Sequence, residues 1–356
     1  MLRYFKYQLP FKIPFKTSSE TLVQREGIIL VFEHENITAF GEIAPLPGFS
    51  EFDLIQILPI LELNKKSIQS ALIQGDGNQI LHILNQIHAI PSLIFGLNTL
   101  LLDYRAKQAH QSMGQFLGGA QITTVPCNAV LGISTIEQTI ENAQQLVSQG
   151  FTTLKLKVGS KLPNELEILE YLRHSFPTIR IRLDANQAWT EKEAIHALNK
   201  FSNYDIEYCE QPIRKENMLG LASVRKCTEI KIAADEACRN KVDTQQLLEL
   251  NAVDILIIKP MMFGSFTDLS VTKKLADSHN TDIVFSTSLE NKIGRTTTAI
   301  LASIWGSKKY AHGLSTSSLF DDNFSSKNEV IDGHYILKDS PGLGITIDYN
   351  NFTEIV

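Results

Sequence analysis

TTLKLKVG, residues 152–159, is the first of five short runs in the middle of this chain that resemble buried β-strands and carry an ionisable side chain at the end. The other four runs are RIRLDAN (180–186), IEYCEQP (206–212), KIAADEA (231–237) and ILIIKP (255–260). The charges in question are those of Lys157, Asp184, Glu210, Asp235 and Lys259. A charge at the end of a buried strand is costly to desolvate unless a ligand or an opposite charge meets it. The five runs therefore predict an active site.

The spacing of the strand-like runs predicts the fold. Runs are centred near residues 155, 182, 208, 232, 257, 284 and 312, so each follows the last by about 24 to 28 residues. VPCNAVL (125–131) precedes them by a similar step, and segments with helical periodicity, such as TIEQTIENAQQLVSQG (135–150), separate them. Eight strands alternating with helices predict an α/β fold with a (β/α)8-type barrel, here at residues 121–327. In such a barrel the catalytic groups lie at the carboxyl ends of the strands, where these charges fall.

The rest of the chain has a different pattern. Residues 1–120 combine alternating strand-like segments with helical ones and predict a separate α+β capping domain. The segment GEIAPLPGFSE (41–51) is rich in Gly and Pro yet apolar, which favours a loop that acts as a lid and covers a binding site. The alternative is a structural turn. The tail, residues 328–356, has strand and turn signals and is expected to return to the capping domain.

Composition limits the classes of function. The 356 residues are 43% hydrophobic and carry a net charge of −6, so a general nucleic-acid binder is not expected and a small-molecule substrate is. No apolar run approaches the ~18 to 20 residues of a membrane span. The first sixteen residues contain no continuous apolar region, and the four cysteines never form a CxxC pair. We therefore expect a cytoplasmic protein without a zinc or redox motif.

Three carboxylates predict a metal site. Asp184, Glu210 and Asp235 end consecutive strands and should lie side by side around the barrel mouth. Oxygen ligands without a nearby Cys or His suit Mg²⁺, whose charge would offset the repulsion among them. The alternative is that each carboxylate pairs with a surface Lys or Arg.

Three lysines predict proton-transfer chemistry. Lys155 and Lys157 alternate with apolar residues, so both should point into the barrel, and Lys259 should lie roughly across the mouth from Lys157. A lysine beside a divalent cation is deprotonated more easily and can act as a base. The alternative is that these side chains extend from the strand ends into solvent.

The motifs KLK, LDAN, EQP, ADE and IKP, in this order and spacing, resemble those of the enolase superfamily in its muconate-lactonising branch. The resemblance implies that Lys157 removes the proton α to a carboxylate, that Lys259 stabilises the enolate from the opposite face, and that Lys155 assists Lys157. It also implies that Asp184, Glu210 and Asp235 hold Mg²⁺, with Mn²⁺ as a substitute.

Other residues near these motifs are weaker candidates. Asn186 and Glu236 adjoin the metal ligands and would support them, or would be merely structural. Arg182 shares a strand face with Asp184 and would contact a substrate carboxylate, or would form an ion pair inside the barrel.

The choice within the branch depends on the loops. The branch includes o-succinylbenzoate synthases, dipeptide epimerases, N-succinylamino acid racemases and cycloisomerases. Epimerases of this group resemble one another in an Asp-x-Asp motif after the eighth strand, where this chain has HGLSTSSLFDDN (312–323), with Asp321 and Asp322 late in the segment. HGLSTSSLF, STSLENKIG (286–294) and APLPGFSE (44–51) are most similar to the o-succinylbenzoate synthases of menaquinone biosynthesis, which are carbon-oxygen lyases.

That similarity implies a substrate and its contacts. Ser286 and Ser288 would meet the succinyl arm, and the loop around Leu46 and Phe49 would exclude water from the ring; Ser288 could instead cap the next helix. A dipeptide epimerase or N-succinylamino acid racemase, another carboxylate lyase, and a non-catalytic binding barrel remain as alternatives. The last would require the loss of a metal ligand or of both lysines, and none is lost.

Overall fold

The computed structural model describes residues 1–16, 21–74, 80, 83, 90–132, 134–321, 329–349 and 352–355. The chain begins with an antiparallel sheet made of β1 (Leu2–Lys16), β2 (Thr21–His34) and β3 (Ile37–Ile43). Residues 28–32 of β2 are buried without a break because both faces of the sheet are covered. Ile28, Leu30 and Phe32 pack toward the helices of the same domain, while Ile29 and Val31 belong to the core shared with the barrel.

Helices cover the outer face of this sheet. They are α1 (Leu54–Gln74) and α2 (Pro91–Gln108), and the short α3 (Met113–Phe116) that follows packs against α2 and a helix of the barrel. Glycine allows α2 to approach β3 closely, since a Cβ atom at Gly96 would lie 2.8 Å from the carbonyl oxygen of Glu42. This contact fixes α2 against the strand that leads into the 41–51 loop.

A parallel sheet forms the second part of the molecule. After β4 (Thr124–Pro126), its strands are β5 (Ala129–Leu131), β6 (Thr153–Lys157), β7 (Arg180–Asp184), β8 (Ile206–Glu210), β9 (Ile232–Ala234), β10 (Ile255–Ile258) and β11 (Asp282–Phe285). These seven strands pair in chain order from β5 to β11. Residues 312 and 313 close the circle, because Gly313 N–H donates to Phe285 at 2.9 Å and Asn128 N–H donates to His312 at 3.0 Å.

Helices surround the barrel and alternate with its strands. They are α4 (Ile136–Ser148), α5 (Leu162–Ser175), α6 (Glu191–Phe201), α7 (Met218–Cys227), α8 (Lys241–Glu249), α9 (Pro260–Phe263), α10 (Phe266–Ser278) and α11 (Lys292–Trp305). In α6 a capping box of Thr190 and Glu193 starts the helix, and the buried residues recur at helical spacing: Ala194, Ala197, Leu198 and Phe201. The (β/α)8-type barrel with an α+β capping domain is therefore confirmed.

The tail contacts both parts of the molecule. Strands β12 (Val330–Ile331) and β13 (His334–Ile336) form a small sheet with β4, and β14 (Thr353–Glu354) pairs with β1. A buried ion pair joins Arg295 of α11 to Glu329, with Nε and Oε2 2.8 Å apart. The domain bounds remain predictions, and the one placed at 327–328 lies outside the described residues. None of the described helices is long and apolar enough to cross a membrane.

Candidate active site

The register of the parallel strands brings the charged strand ends together. Lys157 pairs with Asp184, and Asp184 pairs with Glu210, so the three lie level at the carboxyl edge of β6, β7 and β8. Asp235 follows β9 and Lys259 follows β10 at the same edge. The strand ends therefore gather two ammonium groups and three carboxylates around one mouth.

Lys155 lies below this edge and binds two of the carboxylates. Its Nζ is 2.9 Å from Oδ2 of Asp184 and 3.0 Å from Oε1 of Glu210. Burial opposes the charge, but the attraction of Asp184, Glu210 and Asp235 outweighs it and raises the pKa of Lys155 well above its usual value. Lys155 is thus a fixed cation inside the barrel.

Lys259 is held in the same way by the third carboxylate. Both oxygens of Asp235 accept hydrogen bonds from its Nζ, which also lies 5.6 Å from the ring centre of Phe49. Burial again opposes the charge, and Asp235, Glu236 and Glu210 together raise the pKa of Lys259. A charged Lys259 can stabilise negative charge that develops on a substrate.

Lys157 has a different kind of partner. Its Nζ donates to the amide oxygen of Asn186 at 2.9 Å, and the Asn186 amide nitrogen donates to Glu236 at 3.3 Å. The backbone N–H of Asn186 donates to Asp184 at 3.1 Å, and Asn186 adopts a left-handed conformation with φ of 42°. Asn186 thus joins Lys157 to the carboxylates on either side of it.

The carboxylates have the chemistry of a site for a hard divalent cation. Asp184, Glu210 and Asp235 are 3%, 2% and 8% exposed and offer oxygen ligands alone. Burial, followed by repulsion from Asp184 and Asp235, raises the pKa of Glu210 to about 8 although Lys155 opposes the rise. Bringing these buried carboxyl groups together is therefore unfavourable for their charged forms, and a divalent cation would offset the repulsion among them.

The present side-chain arrangement is not a preformed ligand cluster. Within the described part of the chain, no three His, Cys, Asp or Glu side chains are gathered closely enough to hold a metal. The reason is visible in the ion pairs, because Lys155 holds Asp184 and Glu210 while Lys259 holds Asp235. A cation would have to compete with these ammonium groups, so the ligand set remains a proposal.

A cavity of about 250 Å³ opens on the side of the mouth where Asp235 and Lys259 lie, and Lys157, Asp184 and Glu210 are not among the residues that line it. Asp235, Glu236 and Lys259 line it from the barrel, and Phe49 and Phe52 line it from the capping domain. The start of α2, residues 90–92, completes that side. The cavity therefore lies between the two domains, at the position where a substrate would meet both.

Some residues that the sequence offered for substrate binding lie elsewhere. Arg182, expected either to contact a substrate carboxylate or to form an interior ion pair, has a fully buried side chain that pairs with Glu207 and donates to the carbonyl of Ala311 at 2.7 Å. The ring of Tyr208 lies 4.7 Å from its guanidinium carbon. Arg182 is thus part of the interior ion pair that was the alternative.

The two serines differ from each other. Ser286 is half-buried, with Oγ 3.5 Å from the carbonyl oxygen of Gly313. Ser288 is buried, and its Oγ has no hydrogen-bond partner among the described residues. Ser288 does not cap the next helix, because Asn291 is the N-cap of α11. Asp321 is exposed, and Asp322 lies outside the described residues.

The structure adds cavity residues that sequence reasoning missed. Arg239 and Met262 line the cavity together with Ile90 and Ser92. Arg239 lies four positions after Asp235, so proximity to the predicted ligand was a usable signal. Residues 90–92 carried no such signal, since only the packing of the capping domain on the barrel brings them to the mouth.

Comparison with known proteins places this architecture among known families. Residues 138–351 match the family described as enolase C-terminal domain-like, and residues 1–103 match the family described as MenC, N-terminal domain. The chain is 26% identical over 346 residues to an L-Ala-D/L-Glu epimerase of Thermotoga maritima, covering 97% of this chain and 96% of the relative. It is 24% identical over 360 residues to an o-succinylbenzoate synthase of Bacillus subtilis, covering 97% and 93%.

A solved structure agrees with the fold. A dipeptide epimerase of Cytophaga hutchinsonii, complexed with Mg and the dipeptide D-Ala-L-Val, superposes with a TM-score of 0.86 at 22% identity. The superposition covers 99% of this chain and 98% of that one.

Proposed function

The chain belongs to the enolase superfamily, in its muconate-lactonising branch, and we propose that it is an o-succinylbenzoate synthase. The reaction would be the Mg²⁺-dependent syn dehydration of 2-succinyl-6-hydroxy-2,4-cyclohexadiene-1-carboxylate in menaquinone biosynthesis. This would make the enzyme a hydro-lyase.

Residues 312–320, at and after the end of the eighth strand, favour the synthase over an epimerase. After Gly313, Ser315 Oγ donates to the carbonyl of Asn128 at 2.6 Å, and Thr316 Oγ1 lies 2.9 Å from Thr287 Oγ1. From residue 312 to 320 the chain has no acidic side chain that could receive the ammonium group of a dipeptide. Asp321, the next acidic residue, is exposed. The match of residues 1–103 to the MenC N-terminal domain also favours the synthase.

The proposed mechanism uses the lysines on two faces of the substrate. Lys157 would accept the proton α to the ring carboxylate, and the electron pair of the broken C–H bond would pass into that carboxylate as an enolate. Lys259, kept charged by Asp235, would stabilise the enolate from the other side. When held by Asp184, Glu210 and Asp235, Mg²⁺ would supply further charge neutralisation at the carboxylate oxygens.

The second half of the reaction would return the proton. The C–O bond to the ring hydroxyl would break, its electron pair would leave with the oxygen, and Lys157 would donate its proton to that oxygen on the same face. Water would depart and the ring would become aromatic. One lysine would thus serve as base and then as acid, which accounts for a syn geometry.

An epimerase is the second candidate. The T. maritima relative, an L-Ala-D/L-Glu epimerase, is as similar to this chain as the synthase relative. Lys157 and Lys259 across one mouth would also suit removal of an α-proton from one face and its return to the other.

One pair of assays separates the two candidates. The purified protein with Mg²⁺ is mixed with the cyclohexadiene substrate while aromatic absorbance is followed, and separately with L-Ala-L-Glu in D₂O while α-deuteration is followed by NMR. The proposal expects absorbance to rise with multiple turnovers and little deuteration of the dipeptide. Deuteration without any rise in absorbance would support the epimerase and reject the synthase.

A further inference from the structure

Three charged side chains are buried outside the mouth, between the capping domain and the barrel. Arg25 and Glu42 come from β2 and β3, and Glu290 comes from the loop between β11 and α11, which is residues 286–291 and is called the β11–α11 loop here. All three are at most 1% exposed. Burying charged groups costs desolvation free energy, and apolar residues would hold two domains together at a lower cost. These groups therefore indicate a role beyond holding the domains together.

Glu42 holds the start of α11 from the capping domain. Its Oε1 accepts from the backbone N–H of Asn291 at 2.7 Å and from the hydroxyl of Tyr7, and its Oε2 accepts from the N–H of Gly294 at 2.7 Å. The first N–H groups of a helix lack partners within the helix, so a carboxylate there satisfies them and also opposes the helix dipole. A residue of one domain thus fixes the first turn of a helix in the other.

Arg25 joins two loops through their backbones. Its guanidinium donates to the carbonyl oxygens of Ala44 and Pro45, each at 3.0 Å, and to that of Leu289 at 3.3 Å. The first two carbonyls belong to the 41–51 loop, and the third belongs to the β11–α11 loop. One buried side chain therefore contacts the backbones of both loops.

The β11–α11 loop contains a strained residue at this contact. Leu289 has φ of 63°, a left-handed conformation that residues other than glycine adopt only when their surroundings enforce it. Arg25 holds its carbonyl, and the carboxylate of Glu290 accepts from the N–H of Ser288 and from Thr298 Oγ1. These buried contacts account for the persistence of the conformation.

Both loops lead to the mouth of the barrel. In the 41–51 loop, Ser50 Oγ accepts from the N–H of Leu46 at 2.9 Å, and Phe49 stands over Lys259. At the start of the β11–α11 loop, Ser286 N–H donates to Ile258 at 2.9 Å, next to Lys259 in the chain. Arg25 lies behind both segments and does not line the cavity.

We propose that Arg25 and Glu42 are positioning residues that fix the 41–51 loop and the β11–α11 loop relative to each other, so that Phe49 covers Lys259 during turnover. The capping domain thereby contributes to the reaction through hydrogen bonds to the barrel backbone. The effect on turnover rests on the proposed function, whereas the effect on the loops does not.

The variants for the test are Arg25→Met, Arg25→Lys and Glu42→Gln, with Arg3→Met as the matched control. Arg3 lies in the same sheet but forms its ion pair with Glu354 at the surface. Hydrogen exchange is followed by mass spectrometry in peptides that cover residues 44–50 and 286–291, at a temperature where circular dichroism shows every compared variant folded. Steady-state kinetics with the cyclohexadiene substrate accompany the exchange.

For Arg25→Met we expect exchange to rise about tenfold or more in both loops and to stay near wild type elsewhere, with kcat/KM lower by about tenfold or more through a higher KM. Arg25→Lys should recover part of the loss, and Arg3→Met should behave as wild type. If Arg25→Met does not fold, Glu42→Gln, which keeps the shape of the side chain, is expected to show the same local exchange at residues 286–291.

Two results would overturn the proposal. One is unchanged exchange in both loops of the folded variants, and the other is an increase spread evenly over the chain, which would indicate a general structural role. If wild type fails to convert the substrate, the proposed function fails while the exchange pattern still decides this proposal.

Discussion

At the scale of single residues, the three lysines near the barrel mouth differ in the partners that they bind. Lys155 and Lys259 are bound by carboxylates, which raise the pKa of both, whereas Lys157 donates to the neutral amide oxygen of Asn186. Two lysines are thereby committed to being cations. Lys157, the third, is the one that the family resemblance assigns as the base.

Glu210 provides a residue-scale prediction about the metal. Replacing Glu210 with Gln removes one of the proposed anionic ligands, and we expect the affinity for Mg²⁺ to fall by about 100-fold or more, since even the partners of metal ligands contribute about 10- to 100-fold. Isothermal titration calorimetry with MgCl₂ measures this. Exposed Glu229→Gln is the control, and equal affinity in the two variants would remove Glu210 from the ligand set.

Arg182 shows which features of a side chain the strand pattern predicts and which it does not. Strand alternation correctly placed Arg182 on the same face as Asp184, inside the barrel. Two residues along a strand correspond to about 6.6 Å, however, and that step moves the side chain from the mouth down into the interior. There it meets Glu207 and Tyr208 rather than a substrate. The face of a residue follows from the strand period, but its depth depends on where the strand ends.

At the scale of elements, periodicity was sufficient for the barrel and insufficient for the contacts between domains. The regular spacing of strand-like runs predicted β5 to β11, because each βα unit repeats the same buried pattern. The closing segment at residues 312–313 forms only isolated bridges, yet its position also followed from the spacing. Glu42 and Arg25 escaped notice because their partners, Gly294 and Leu289, lie more than 200 residues away.

The close contact of α2 with β3 gives a prediction at the element scale. In Gly96→Ala the new Cβ would meet Ile43 Cγ1 at 2.6 Å and the carbonyl of Glu42 at 2.8 Å, so we expect the free energy of unfolding to fall by about 1–3 kcal/mol. Gly114→Ala is the matched control, since its nearest neighbour would be 3.9 Å away. Urea denaturation compares the two, and equal stabilities would show that α2 can move away from β3 at no cost.

At the scale of the whole molecule, stability depends on closing the barrel. His312, in the closing segment, should make the free energy of unfolding depend on pH. His312 is fully buried, and its Nδ1 accepts from the N–H of Phe285 at 3.0 Å. Burial lowers the pKa of His312 to about 3, with smaller contributions from Arg182 and Lys308. The folded protein therefore keeps His312 neutral under conditions where the unfolded chain protonates it.

The direction of the pH effect follows from that difference. Above the usual pKa of 6.5, His312 is neutral in the folded and in the unfolded protein, so its full contribution to the free energy of unfolding is present there. This contribution is lost progressively as pH falls toward 3. Between pH 7 and pH 5 the loss should be about 2 kcal/mol. His312→Asn, which retains an acceptor, should flatten the dependence of unfolding free energy on pH, while the exposed control His196→Asn should not. Parallel profiles for all three proteins would contradict this account.

Conversion of the cyclohexadiene substrate by Lys157→Ala tests the proposed reaction most directly. With Mg²⁺ affinity confirmed as unchanged and exposed Lys192→Ala as the control, turnover followed by aromatic absorbance should fall by about 10²- to 10⁴-fold in Lys157→Ala alone. Formation of the aromatic product by Lys157→Ala at the rate of wild type would contradict the assignment of Lys157 as the base.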